Sequence, residues 1–237
     1  MCMQKGNAIE CAPSLRRTFI RFFIAVIFSI AFGYIEAAVV VYLREIFYPE
    51  GFIFPLAVFN INLLFKRIFL TEVGREAATI VLIFTGAWLF GQNRRQRIAY
   101  FLIIFAIWDI FYYVWLKVLL DWPASIMDWD ILFLIPMAWA SPVLAPVLVS
   151  FVMLLFAVII LYYDCRMIPV KTSIYDLLAY CLAALVIVIS FCIPGSHTME
   201  ENYSSYFHWP LFAAGLLFAV VIFLRCLFKS RRSALIS

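Results

Sequence analysis

Two carboxylates lie inside long apolar runs, and chemistry in this sequence is expected to start from them. Asp109 falls near the middle of the run 98–120, and Glu36 sits in the second half of the run 18–47. An ionisable group placed in hydrocarbon is expensive, so such residues face a cavity or a partner and point to function by default. Stepping in fours from Asp109 along a helix reaches Tyr113 and then Lys117, which gives that run one polar face. Glu36 is followed eight residues later by Arg44, as Asp109 is by Lys117. Eight helical residues rise about 12 Å. Each acid is therefore expected to find any partner on another helix, with Arg44 and Lys117 nearer the mouth of a polar cavity. The plain alternative is a set of structural ion pairs whose long cations snorkel to the interface.

A second group is Thr71-Glu-Val-Gly-Arg-Glu76. Glu72 and Glu76 are four apart and share a helical face, and Arg75 is three from Glu72. One acid is expected to pair with Arg75 and leave the other free to bind something. Thr71 is a good N-cap residue, acids in a first turn complement the helix dipole, and Gly74 would let a backbone or ligand come close. In the stretch 121–140, Asp121, Asp128 and Asp130 are expected in a wetted loop, although Asp130 abuts an apolar run and is able to fold back over the cavity. His197 and His208, the two histidines, lack the spacing of a metal-binding helix, so no metal site is assigned.

These side chains need elements to position them, and composition says which. The 237 residues are 67% hydrophobic and 14% charged, with a mean hydropathy of +1.03, far more apolar than a soluble domain. Six runs are long enough to span a bilayer: 18–47, 71–90, 98–120, 141–162, 173–193 and 209–228. The expected fold is an all-α membrane protein of six transmembrane helices in a single integral membrane domain. Most Lys and Arg, including Arg16, Arg94, Arg166 and Arg232, fall in the same set of alternate connections, and the positive-inside rule puts that side and both termini in the cytoplasm. If the source is bacterial, the membrane is the inner one. Most acids lie on the other side.

The first and third spans align acid on acid and cation on cation, Glu36 with Asp109 and Arg44 with Lys117. Each is followed by a similar Pro-containing string, 52–59 and 133–140. This pattern suggests a tandem repeat, 18–90 and 98–162, with the helices 173–193 and 209–228 added. The linkers 51–70 and 121–140 are too interrupted to span and too apolar to be solvated. They are expected to be interfacial or re-entrant segments on the outer face, the first broken by Pro55, Asn60 and Asn62. Ala213, Ala214 and Gly215 offer a small-residue surface for helix packing.

The expected partners are the lipid bilayer and a small cationic or lipid ligand, held in an outward-facing, net acidic cavity between the first three spans. Basic residues occur in short clusters between spans, and no nucleic-acid signature is present. Phosphate-binding loops, nucleophile elbows, dinucleotide fingerprints and zinc-protease helices are absent from the sequence, and nothing in it names a cofactor. Three functions fit: transport, or ion- or proton-coupled handling, of a small or cationic solute; a membrane enzyme acting on a lipid or lipid-linked substrate at the outer leaflet; and a non-catalytic accessory subunit. The acidic half and the depth of Asp109 favour the first.

Overall fold

A computed structural model describes residues 2–5, 8–11, 15–56, 63–168, 170 and 172–236. Six helices dominate it: α1 (Leu15–Phe47), α2 (Leu63–Phe90), α3 (Arg94–Leu120), α4 (Leu144–Cys165), α5 (Ile174–Gly195) and α6 (Trp209–Ile236). Each is long and apolar enough to cross a membrane. Phe19, Leu89, Phe151, Leu185 and Leu217 are among many large apolar side chains left exposed on their outer faces. Helices that stay apolar on their exposed side belong in lipid, where the hydrophobic effect does not oppose that exposure.

The central helix is α3, which packs against α1, α2 and α4. Its residues Ala99, Tyr100, Ile103, Ile104 and Trp108 form the core, with Ala25 and Phe32 of α1, Ile83 and Ala87 of α2, and Ala157 and Leu161 of α4. Gly33 sets the α1 crossing: a Cβ there would lie 3.0 Å from the Trp108 carbonyl oxygen and 3.3 Å from the Tyr112 nitrogen. Trp115 Nε1 donates to the Ile30 carbonyl at 3.0 Å, a second tie across the same pair. The helices α5 and α6 form a separate pair, closely fitted where Gly215 faces Val186 and Ile187. That contact uses the small-residue surface expected around Ala213, Ala214 and Gly215.

The predominantly helical fold is as expected, and the linker 121–140 adds short strands to it. Besides the N-terminal pair β1 (Cys2–Lys5) and β2 (Ala8–Cys11), the chain forms an antiparallel hairpin of β3 (Trp129–Phe133) and β4 (Trp139–Pro142). Asp130 lies opposite Ser141, and the pairing is irregular between Ile131 and Phe133. This hairpin enters the bundle and rests on α5, where a Cβ on Gly195 would come within 1.8 Å of the Ala138 carbonyl oxygen. Where water is excluded, backbone polar groups must find partners within the protein, and strand pairing supplies them in a segment whose prolines, Pro136 and Pro142, prevent a helix. Gly195→Ala is accordingly expected to destabilise the protein by about 1–3 kcal/mol, read as a fall in the thermal unfolding midpoint in detergent. An unchanged midpoint would show that the hairpin is not seated there.

Boundaries also move. α2 begins eight residues before Thr71, so Thr71 is not an N-cap; its hydroxyl donates to the Arg67 carbonyl inside the helix at 2.9 Å. Residues 63–70 contain no Pro or Gly to stop a helix, and Lys66 and Arg67 are long enough to reach out of the apolar zone. Asn60 and Asn62, expected to interrupt that linker, lie outside the described residues. α6 runs on past the expected 228 to Ile236. At the start of α4, Pro146 occupies the first turn, where its missing N–H has no intrahelical bond to lose.

The loop between α5 and α6 is tied by side chains. His197 stacks on Tyr206 with ring centroids 3.8 Å apart, and the His197 ring (2.7 Å) and the Tyr206 hydroxyl (3.0 Å) both bond the Glu200 carboxylate. Those bonds hold the Glu200 carboxyl below its ordinary value of 4.5. A lowered acid stabilises above its unfolded value and loses that contribution as pH falls through its folded value. Protection of the amides at residues 197–206, relative to free-peptide exchange at the same pH, is expected to fall as acidification carries the solution below the ordinary carboxylate range; unaltered protection there would argue against the tie.

Candidate functional site

The side chains singled out from the sequence converge at the end of the bundle that carries the hairpin. A cavity of 290 Å³ lies between α1, α2, α3, α4, α5 and β3, and Glu36, Arg75, Glu76, Asp109, Tyr112 and Tyr113 form its polar wall. Phe105, Trp108, Phe133, Trp139, Met153 and Phe191 form most of the rest. It is an apolar, aromatic chamber with acids set into one side.

Each acid reaches it by a different route. Glu36 on α1 pairs with Arg75 Nη1 on α2, and Thr79 Oγ1 donates to its other oxygen at 3.3 Å. Arg75 also holds Glu72 through Nε at 2.8 Å. One guanidinium therefore serves two carboxylates, where one partner and one free acid were expected. Glu76 is not free either: both its oxygens accept from the Leu134 backbone N–H, at 3.1 and 2.9 Å. That bond pins the hairpin turn to α2, so this acid holds structure as well as lining the cavity. Beyond its own helix, Gly74 meets nothing among the described residues within 4 Å at the position of a Cβ, so none of them uses the close approach it would permit.

Asp109 differs from the others. Ser150 of α4 donates to its Oδ2 at 2.8 Å, and among the described residues no cation lies within 4.0 Å of it. It faces the cavity, partly exposed to it. An ionised carboxylate in such a place calls for a proton or a positive partner.

Arg44 does not stand at the mouth. It is buried, with Nη2 donating to Asp130 Oδ1 at 3.0 Å, and its guanidinium lies between the rings of Phe52 and Trp122, 4.0 and 3.8 Å from their centroids. Tyr112 donates to the other Asp130 oxygen at 3.1 Å. Asp130 is thus no wetted loop residue: it is 2% exposed, drawn in by Arg44, beside the strand residues Ile131 to Phe133 that line the chamber. Its neighbours in sequence do stay outside. Asp128 organises the turn by accepting from the Ala124 and Ser125 N–H groups, while Asp121 is exposed and pairs with Lys117 at 2.7 Å. Lys117, half exposed and four residues from its partner on its own chain, does not border the cavity.

Sequence reasoning passed over four contributors. Tyr112 sits beside Tyr113, one step off the face counted from Asp109. Ser150 is a lone hydroxyl in the apolar α4, which was a usable signal. Trp139 fits an interface anchor by sequence and Trp108 carries no distinguishing signal, yet both side chains line the cavity, and their buried indole N–H groups have no hydrogen-bond partner among the described residues. At the opposite end of the bundle Asp164 accepts from Asn93, Arg95 and Gln96 at 2.8–3.3 Å, which locks the turn between α2 and α3 to α4.

The six spans make the chain a polytopic membrane protein. Compared with protein-family models, curated sequences and solved structures, it matches none of them.

Proposed function

We propose that the protein binds a cationic solute within the membrane and exchanges it against a proton at Asp109, as a transporter does. The observation that carries this reading is the Asp109 carboxylate, set in a largely apolar chamber with a hydroxyl donor and, among the described residues, no ion-pair partner of its own. The surrounding acids strengthen it. Glu36, Glu72, Glu76, Asp109 and Asp130 stand around Arg44 and Arg75, an excess of negative charge that attracts cations. The positive-inside rule supports placing the Arg-rich end in the cytoplasm and the hairpin end outside.

The test is made in proteoliposomes with an acidic lumen and an enclosed pH dye. Adding sodium, potassium, choline or tetramethylammonium outside is expected to discharge the gradient for at least one of them, and Asp109→Asn to stop the discharge while gel filtration stays unchanged. Equal discharge by wild type and Asp109→Asn, or none with any cation, overturns the proposal.

A second reading, an enzyme acting on a lipid or lipid-linked substrate, is favoured by the chamber floor. Towards the Arg-rich end, Tyr100, Ile103, Ile104 and Phe105 pack with α1 and α2 side chains into an apolar cluster among the described residues, which closes that side of the chamber with hydrophobic contacts. This reading predicts a new lipid species when the protein is incubated with membrane lipids, lost in Glu36→Gln or Asp109→Asn.

A further inference from the structure

The chamber also specifies the kind of cation. We infer that its ligand is a long-chain amphiphile whose head carries an ammonium beside an oxygen acceptor, the chemistry of choline-type and amino-alcohol lipids, and that it arrives sideways from the bilayer beside α5. The inference rests on the cationic reading of the Asp109 site given above and narrows it.

Three observations carry it. First, the walls suit an organic cation better than a metal ion. Asp109 shares its chamber with the rings of Phe105, Trp108, Tyr112, Tyr113, Phe133 and Trp139, and a carboxylate in an aromatic-walled site is how proteins hold quaternary and alkylated ammonium groups. The acids are spread around the chamber, and among the described residues no three His, Cys, Asp or Glu side chains are grouped to ligate a metal.

Second, the same wall offers donors. The side chains of Trp108 and Trp139 line the chamber, Trp108 is 5% exposed, and the indole N–H groups of both are buried with no partner among the described residues, so a small turn of either ring would present a donor. A buried N–H left unpaired costs about 1–3 kcal/mol, which an oxygen on the ligand would offset. An ammonium alone would leave both donors unmet, and a bare anion would meet Asp109.

Third, the chamber is thinly walled beside α5. Among the described residues α5 packs mainly on α6 and β4 and has no extended contact with α4, and its residues Ala184, Ile187 and Val188 border the cavity while remaining exposed or half-buried. The gap is bounded at the hairpin end by Phe191 against Phe207 and Phe212, and at the other end by the stacked rings of Phe156 and Phe223, 4.0 Å apart. An opening lined by Val149, Met153, Ala184 and Val188, at the depth of lipid tails, fits a hydrocarbon chain whose head has reached Asp109.

The experiment follows the labelling of Asp109 by dicyclohexylcarbodiimide in proteoliposomes, read by peptide mass, with labelling elsewhere in the chain as the control for folding. Protectants are tetramethylammonium and three single-chain amphiphiles of equal length with phosphocholine, phosphate or glycerol heads. The phosphocholine amphiphile is expected to protect at about thirtyfold lower concentration than the glycerol one. In Ala184→Trp, that protection is expected to vanish while tetramethylammonium still protects. Equal protection by the glycerol or phosphate amphiphile overturns the assignment of the head, and an unaltered response in Ala184→Trp overturns the lateral route. Protection by tetramethylammonium with no gain from the chain overturns this inference and leaves the cationic site standing. No protection by any of the four overturns both.

Discussion

Arg44→Met is expected to lower the stability of the protein by about 3–5 kcal/mol, the effect of removing one partner of a buried ion pair. The arginine is held on three sides, by Asp130 and by the rings of Phe52 and Trp122. Without it the Asp130 carboxylate keeps only the Tyr112 hydroxyl and the strand backbone in a site closed to water. The pair itself is not ideal, since Arg44 Nη1 is buried with no hydrogen-bond partner. Such a pair adds little net stability over an apolar replacement of similar shape. Arg44→Met with Asp130→Leu is therefore expected to recover most of the loss, to within about 1 kcal/mol of wild type. Thermal or denaturant unfolding of the purified variants in detergent measures all three. A single variant as stable as wild type, or a double variant no better than the single, would show that the hairpin is held by its strand pairing and the Glu76 bond alone.

Asp109→Asn is expected to do the opposite. Asparagine keeps the shape, and its side-chain oxygen still accepts from Ser150, so the local hydrogen bond survives. What disappears is a buried negative charge with no cation beside it, and stability should be unchanged or higher by about 1 kcal/mol. Binding of a cation should fall steeply. Losing one partner of a desolvated charge pair typically removes about 2–5 kcal/mol, or thirtyfold to several-thousandfold in affinity. Both quantities come from one set of samples, unfolding midpoints for stability and cation-driven proton flux for binding. A variant that loses stability and flux together would make Asp109 a structural residue. Glu36→Gln provides the contrast: it takes a partner from Arg75, which retains Glu72, so its loss of function should come with a loss of stability.

Much of the architecture was legible in the residues. Five of the six expected spans begin or end within a few positions of a helix boundary at both ends, apart from the late end of α6, because a run of apolar residues with polar flanks is a local property. α2 shows where that reading stops. Lys66 and Arg67 looked like an interruption, but a helix tolerates them where their side chains can extend past the apolar zone. The hairpin was less legible still. Trp129–Phe133 and Trp139–Pro142 carry no alternation strong enough to mark strands, and they become strands because the surrounding helices remove water from their backbone groups.

The site divides in the same way. That Glu36 and Asp109 lie within membrane-length apolar helices followed from counting residues, and both border one cavity. Their partners could not be counted out. Glu36 meets Arg75 across 39 residues, Asp109 meets Ser150 across 41, Glu76 meets Leu134 across 58, and Arg44 meets Asp130 across 86. Arg44 and Lys117, equivalent in the proposed repeat, end up buried in one case and half exposed in the other.

By itself, then, the sequence determined the number of spans, most of their limits to within a turn, and which charges fall inside them, since transfer into lipid depends on residues that are contiguous in the chain. Only the tertiary structure decided which acids are matched and which one is left facing the cavity. Helix rotation, the close crossing at Gly33 and the insertion of the hairpin bring distant side chains within 3 Å or keep them apart, and packing of that kind is set by the whole bundle at once.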